Sequence, residues 1–197
     1  MQYLKEEVRA RILEAALDEF EAHGYAKAQV QRIAQEAQVS TGNLYRYFAS
    51  KEDIFDSIVR SCYERIAALM ADAAGFSGGG EAKGVRGLAH HLAAGIMSVY
   101  NTHGRQLLII AEKSIGSRHE NFVHIMTEMI SERMQLELGR QGALADETLV
   151  RLVATGFFSG MVLLFRTTKD PERLHELISR MLVFYFDDFE DRLLGAP

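Results

Sequence analysis

The sequence predicts an all-α protein, with a small amino-terminal helix-turn-helix domain ahead of a larger helical domain. Three observations predict it. Only two prolines occur in 197 residues, Pro171 and Pro197, and long stretches without Gly or Pro are rich in Leu, Ala, Glu, Arg and Met, which lose little on entering a helix. Apolar side chains recur every three or four residues through most of the chain, the period of a helix buried on one side. One short stretch, Val30 to Lys51, carries two brief helical registers with a break between them. Hydrophobic residues make up 48% of the chain, ample for a core.

From about Lys5 to His23, Val8, Ile12, Ala16 and Phe20 form an i, i+4 stripe with Leu13 and Leu17 beside it. Gly24 closes this helix, because Gly best tolerates the left-handed position after a helix carboxyl end. Two motif helices follow, about Val30 to Ala37 and Thr41 to Tyr47. Ile33, Ala34 and Ala37 form the first register, and Leu44, Tyr47 and Phe48 the second. The break falls at Gln38, Val39 and Ser40. Ala34 is small enough to let the helices cross closely, and Ser40 is placed to cap the second helix. Leu44 and Phe48, four apart, share the inward face. That leaves Thr41, Gly42, Asn43, Tyr45 and Arg46 outward, with Tyr47 at the boundary.

The outward set suits a DNA groove. Asn43 can read a base edge, Thr41 can meet a phosphate or a thymine methyl, and Gly42 lets the backbone come close. Tyr45, Arg46, Tyr47 and Lys51 can donate to phosphate oxygens, contacts that position a protein without specifying sequence. Ser50, with Asp53 three residues on, caps a third helix from about Lys51 to Ala74, striped by Ile54, Ile58, Cys62, Ile66 and Leu69.

These residues resemble the amino-terminal signature of the tetracycline-repressor (TetR) family of transcription regulators. The signature runs through Ile33-Ala34, Val39-Ser40, Leu44-Tyr45-Arg46-Tyr47-Phe48 and Ser50-Lys51-Glu52. It covers about a quarter of the chain, counted from Leu4 to Phe55. The resemblance implies a DNA-binding domain over residues 1–50, a connecting helix over 51–74 and a ligand-binding and dimerisation domain over 75–197. Ser40 and Gln29 join the DNA-binding set. Two departures stand out. Ala28 replaces the usual Thr at the start of the first motif helix, so Gln29 or Gln31 is expected to supply the missing cap. Gln38 replaces a usual turn Gly, and a left-handed backbone there costs roughly 1 kcal/mol more than with Gly.

The net charge of −5 is unusual for a DNA-binding protein, but its distribution is uneven. Residues 1–60 hold eight Lys and Arg against ten Asp and Glu, whereas Lys27 to Lys51 hold four (Lys27, Arg32, Arg46, Lys51) against Glu36 alone. Positive charge is focused on the motif, so affinity should depend steeply on salt. The single cysteine, Cys62, excludes an intrachain disulfide and reads as a buried thiol in a reducing compartment. The charged amino terminus lacks a signal-peptide core, and the longest stretch free of Asp, Glu, Lys, Arg and His, Leu152 to Phe165, is shorter than the ~20 residues that span a bilayer. The expectation is a cytoplasmic protein with no membrane association.

Gly75 to Gly87 holds six Gly in 13 residues and reads as a flexible connection, since no strand precedes it and no Lys-Ser/Thr ending follows. Five further helices are predicted: about Val85 to Thr102, Arg105 to Ile115, His119 to Gly139, Ala145 to Thr168 and Pro171 to Leu194. Asp170 caps the last, with Pro171 in its first turn. The final two carry apolar faces wider than one neighbour needs, and Gly156 and Gly160 permit a close crossing. By the family resemblance these two helices pair with their two-fold mates, giving a homodimer that binds a palindromic operator in double-stranded DNA.

Met97, Tyr100, Phe122, Met126, Met129, Phe157, Phe158 and Met161, with Leu107, Leu108 and Met134, mix thioethers and aromatics suited to a small apolar effector, although any one of them taken singly reads more readily as ordinary core. His90, His91, His103, His119 and His124 could add polar contacts. None pairs with another at metal-binding spacing, so no metal and no cofactor is expected. No strained nucleophile turn or distinctive carboxylate pair points to catalysis. The acidic tract Phe184 to Asp191 reads as a solvated helix face. The expected function is a DNA-binding transcriptional regulator, a repressor released by its effector, and not an enzyme. The alternative is a helical interaction or small-molecule-sequestering protein that retains the motif.

Overall fold

The computed structural model describes residues 2–75, 85–140, 146–187 and 192. Eight helices and no strand occur among them: α1 (Gln2–Lys27), α2 (Val30–Glu36), α3 (Thr41–Leu44), α4 (Lys51–Gly75), α5 (Val85–Glu112), α6 (Phe122–Arg140), α7 (Glu147–Thr167) and α8 (Pro171–Phe186). Most of the Gly-rich connection, the end of the acidic tract and the predicted last turn of the terminal helix lie outside the described residues. The helices sort into two compact units that interleave along the chain. One is Met1–Arg65 with His103–Phe122, and the other is Ile66–Thr102 with Val123–Pro197.

In the first unit, α1 buries Ile12, Ala16 and Phe20 completely, the stripe its spacing predicts. Gly24 breaks it at φ 71°, and a short turn runs on to Lys27. Phe20, Tyr25 and Phe55 form an edge-on aromatic cluster, with Phe55 centroids 5.0 and 5.1 Å from the other two. From Lys51 to Arg65, α4 buries Ile54, Ile58 and Cys62 and adds Phe55 and Val59, so its apolar face is wider than the single predicted stripe. Burial alone pushes the Cys62 thiol up to about 12, which leaves it protonated and unreactive at neutral pH. Residues 103–122 complete this unit. Arg105, just past a break at His103, pairs with Glu14, Asp18 and Glu21 on α1.

In the second unit, α7 buries Val150, Ala154, Phe157, Met161 and Phe165 on one face, and α8 buries Leu174, Ile178 and Leu182. Asp146 and Asp170 cap these helices through the Leu149 and Glu172 amides. Gly156 and Gly160 face Tyr185 and Met181, the close crossing that their spacing predicts. By length and composition α7 could cross a membrane, which the count of uncharged residues did not suggest. Its burial is one-sided, however, and Leu149, Leu152 and Leu163 stand exposed on the chain.

Candidate nucleic-acid interface

The helix-turn-helix is assembled by three local devices. Ile33, Ala34, Ala37, Leu44 and Phe48 are each at most 2% exposed and form the wedge between α2 and α3. The turn is a Schellman motif: the Val39 amide donates to the Ala34 carbonyl at 2.9 Å and the Gln38 amide to that of Gln35 at 3.1 Å. This closure requires a left-handed residue, and Gln38 takes that role at φ 55°. Ser40 then caps α3, its Oγ accepting from the Asn43 amide at 3.1 Å. A reciprocal cap starts α4, where Ser50 Oγ accepts from the Asp53 amide and Asp53 accepts from the Ala49 amide.

Some details differ from the sequence expectation. Regular pitch in α3 ends at Leu44 rather than Tyr47, because the Arg46 and Tyr47 amides bond only three residues back, to Asn43 and Leu44. Gln29 occupies the N-cap of α2 without a side-chain cap, and it is Glu19 on α1 that accepts the Gln29 amide, at 2.9 Å. Neither Gln29 nor Gln31 replaces the missing Thr. Glu19 is 9% exposed and also binds the Arg32 guanidinium. Burial pushes its carboxyl up, but Arg32, the Gln29 amide and His23 together outweigh that and hold it below its ordinary value.

The outward face holds the residues the sequence proposed. Ser40, Gly42, Tyr45 and Arg46 are exposed, as is Gln29, and Thr41, Asn43 and Tyr47 are half-buried beside them. A Cβ placed on Gly42 would meet nothing within 4 Å, and its φ is outside the left-handed range. Neither packing nor backbone geometry requires glycine there.

Lys51 is less available than its position suggests. Its Nζ donates to the Tyr25 and Ala28 carbonyls at 2.8 and 3.3 Å and lies 4.4 Å from the centre of the Tyr25 ring. With Arg32 committed to Glu19, two of the four cations between Lys27 and Lys51 are engaged inside the protein. Sequence reasoning passed over Arg9, whose guanidinium stands 5.3 Å above the Phe48 ring. Its helical stripe gave no sign of this neighbour, which only the packing of α1 supplies.

Behind α4, Glu52, Asp56 and His119 bring ligand-type atoms within 4.8 Å of one another. All four carboxylate oxygens already accept from protein donors. Tyr25 Oη lies 2.7 Å from Glu52 Oε2, and the Arg118 amide 3.1 Å from Glu52 Oε1. His119 Nε2 lies 2.7 Å from Asp56 Oδ1, and Arg118 Nη1 2.8 Å from Asp56 Oδ2. The group is an ion-paired network rather than an open metal site. Burial, and then the Glu52 carboxylate, push the Tyr25 phenol up to about 12.

Of the proposed effector residues, Met97, Met126, Phe157 and Met161 are buried in the second unit, with Tyr100 and Phe158 half-buried there. Tyr100 stacks on Phe165 with centroids 4.8 Å apart, and its hydroxyl donates to the Phe165 carbonyl. Met129 is exposed, at 36%. Phe122 belongs to the first unit, where it packs with Tyr63.

Residues 12–58 match the family model for bacterial regulatory proteins of the tetR family. These residues therefore carry an amino-terminal domain of the tetR type. Among the curated relatives that this region matches are HTH-type transcriptional repressors and regulators. The HTH-type transcriptional repressor SCO4008 of Streptomyces coelicolor is 43% identical over 54 residues, 27% of this chain and 28% of that repressor. A TetR-family regulator from Bordetella parapertussis shares the fold over 92% of this chain and 95% of its own, with a TM-score of 0.68 at 17% identity. The regulator FadR from Bacillus subtilis, solved with stearoyl-CoA, matches over 88% and 97% of the two chains, with a TM-score of 0.53 at 19% identity. The stronger likeness in sequence spans only the length of a helix-turn-helix domain, and the solved structures share the fold over most of the chain.

Proposed function

We propose that this protein is a TetR-family transcriptional regulator, a repressor that binds a palindromic operator as a homodimer and is released by a small, largely apolar effector. Gly42 carries the reading. Among the described residues nothing lies within 4 Å of a Cβ placed there, so the glycine leaves the α3 backbone open to the close approach of an external surface. Asn43 and Thr41 beside it read base edges. Tyr45, Arg46, Tyr47, Gln29, Lys51 and Arg9 hold phosphates, with Ser40 setting the start of the reading helix. Lys51 contributes through whatever donor capacity its two carbonyl partners leave.

Homodimerisation through α7 and α8 is supported by Leu149, Leu152, Leu163 and Phe184, large apolar side chains left exposed on the last two helices of a single chain. The effector reading rests on Met97, Tyr100, Met126, Phe157, Phe158 and Met161 in the second unit, and FadR in complex with stearoyl-CoA illustrates a ligand with a long apolar chain on a similar fold. An effector that binds better to the DNA-incompetent arrangement lowers operator affinity by its differential binding energy. This reading places the protein in the cytoplasm, with no catalytic role.

Selecting duplexes from a random DNA pool with the purified protein tests it. The expected product is a two-fold symmetric site with half-sites about one duplex turn apart, ~34 Å. Asn43→Ala and Thr41→Ala should relax its sequence preference. Recovery of no preferred sequence at low salt would favour the interaction-protein alternative. Stearoyl-CoA is a first probe for release of the selected duplex.

A further inference from the structure

The matched family region ends at residue 58, yet the compact unit that carries the helix-turn-helix includes residues 103–122. The turn from Lys113 to Asn121 acts as a strap across the places where the helix-turn-helix is anchored. At one end, the Lys113 carbonyl accepts the Tyr25 amide at 2.8 Å, and Gly116, at φ 86°, lies against Tyr25 and Ala26. This is the turn from which α2 departs. At the other end, Arg118 and His119 hold Glu52 and Asp56 in the first two turns of α4, into which α3 leads. The two anchors are joined directly, by Tyr25 Oη to Glu52 and by Lys51 Nζ to the Tyr25 and Ala28 carbonyls. Both ends of the α2–α3 segment are therefore fixed by one polar network, and Arg118 is its cation outside the helix-turn-helix.

We propose that Arg118 and His119 are positioning residues for operator recognition, acting through Asp56 and Glu52 to hold α3 at the angle at which its outward face fits the groove. The proposal rests on the operator-binding reading above. Arg118 is itself 60% exposed, so the rival is that it touches DNA phosphate directly. The two differ in what they do to binding. A positioning residue affects sequence-specific binding and leaves charge-driven binding to arbitrary duplex intact. A phosphate contact affects both alike and contributes about one to the salt slope.

The experiment compares full-length wild type, Arg118→Gln, Asp56→Asn and the double variant, each titrated with the selected operator and with scrambled duplex across a salt series. The expected result is a roughly tenfold loss of operator affinity in Arg118→Gln, unchanged scrambled-duplex affinity, an unchanged salt slope, and a double variant whose loss is smaller than the two single losses combined. Equal loss on both duplexes with a shallower slope, additive losses in the double variant, or no loss at all would each overturn the proposal. Thermal melting by circular dichroism accompanies each variant. If Arg118→Gln does not fold, Arg118→Lys replaces it, keeping the charge without the fork and giving a smaller loss with the same selectivity. Failure of wild type to select any operator would instead count against the repressor reading.

Discussion

Gly42 in α3 and Gly95 in α5 are both helical glycines, one in each compact unit, and their surroundings are opposite. A Cβ on Gly95 would overlap the tip of the Leu69 side chain, so glycine there leaves room for Leu69 of α4 against α5. A Cβ on Gly42 would stand in open space. Gly95 answers to the protein's own packing, whereas Gly42 is the residue that the operator-binding proposal assigns to the approach of a groove. The same contrast extends to what holds the two regions. The reading helices are fixed by directional bonds among Glu19, Arg32, Tyr25, Lys51, Glu52 and Arg118. The pairing of α7 with α8 is mainly apolar, with Phe157 edge-on to Tyr185 and Phe186. Directional bonds fix an angle, whereas apolar faces tolerate repacking.

The largest expected effect is that of Leu44→Ala. It empties the wedge under α3 and should cost about 2–5 kcal/mol, with loss of operator selection, read by denaturant unfolding and duplex binding. Gly95→Ala should destabilise by about 1–3 kcal/mol if Leu69 cannot move aside, and a melting temperature at or above wild type would break the contrast drawn above. Glu19→Gln should cost about 1 kcal/mol near neutral pH. Because the folded-state pKa of Glu19 is lowered, its contribution is fully present above the unfolded value of 4.5 and is lost as pH falls through the lower folded value. The variant should therefore show a flatter acid limb in stability against pH.

Gln38→Gly should stabilise by roughly 1 kcal/mol by relieving the left-handed backbone, without altering sequence preference. Gly42→Ala has the smallest effect on stability and the sharpest meaning. It should gain roughly 0.5–1 kcal/mol in unfolding while weakening operator binding, and unchanged binding would remove the argument that a groove approaches there.

Much of the reading unit was legible because its signals are local. The Ser40 cap, the turn at Gln38, the break at Gly24 and the inward pair Leu44 and Phe48 all follow from spacings of a few residues. The site was less legible wherever a residue's partner lies far along the chain. Arg32 and Lys51 count as free cations in the sequence, yet Glu19 and the Tyr25 and Ala28 carbonyls engage them. The effector set suffered likewise, since no local signal separates Phe122 from the methionines that follow it on α6, although it belongs to the other unit.

The sequence by itself determined the helical class, the helix-turn-helix and its outward face, because periodicity, capping and turn chemistry act within a few residues of the chain. Only the tertiary structure decided which charges remain available at that face, and that residues 103–122 belong to the same unit. Arg118 meets Glu52 across 66 positions, and His119 meets Asp56 across 63. No periodicity encodes such a pairing. It follows from how the helices pack, which is a property of the whole chain.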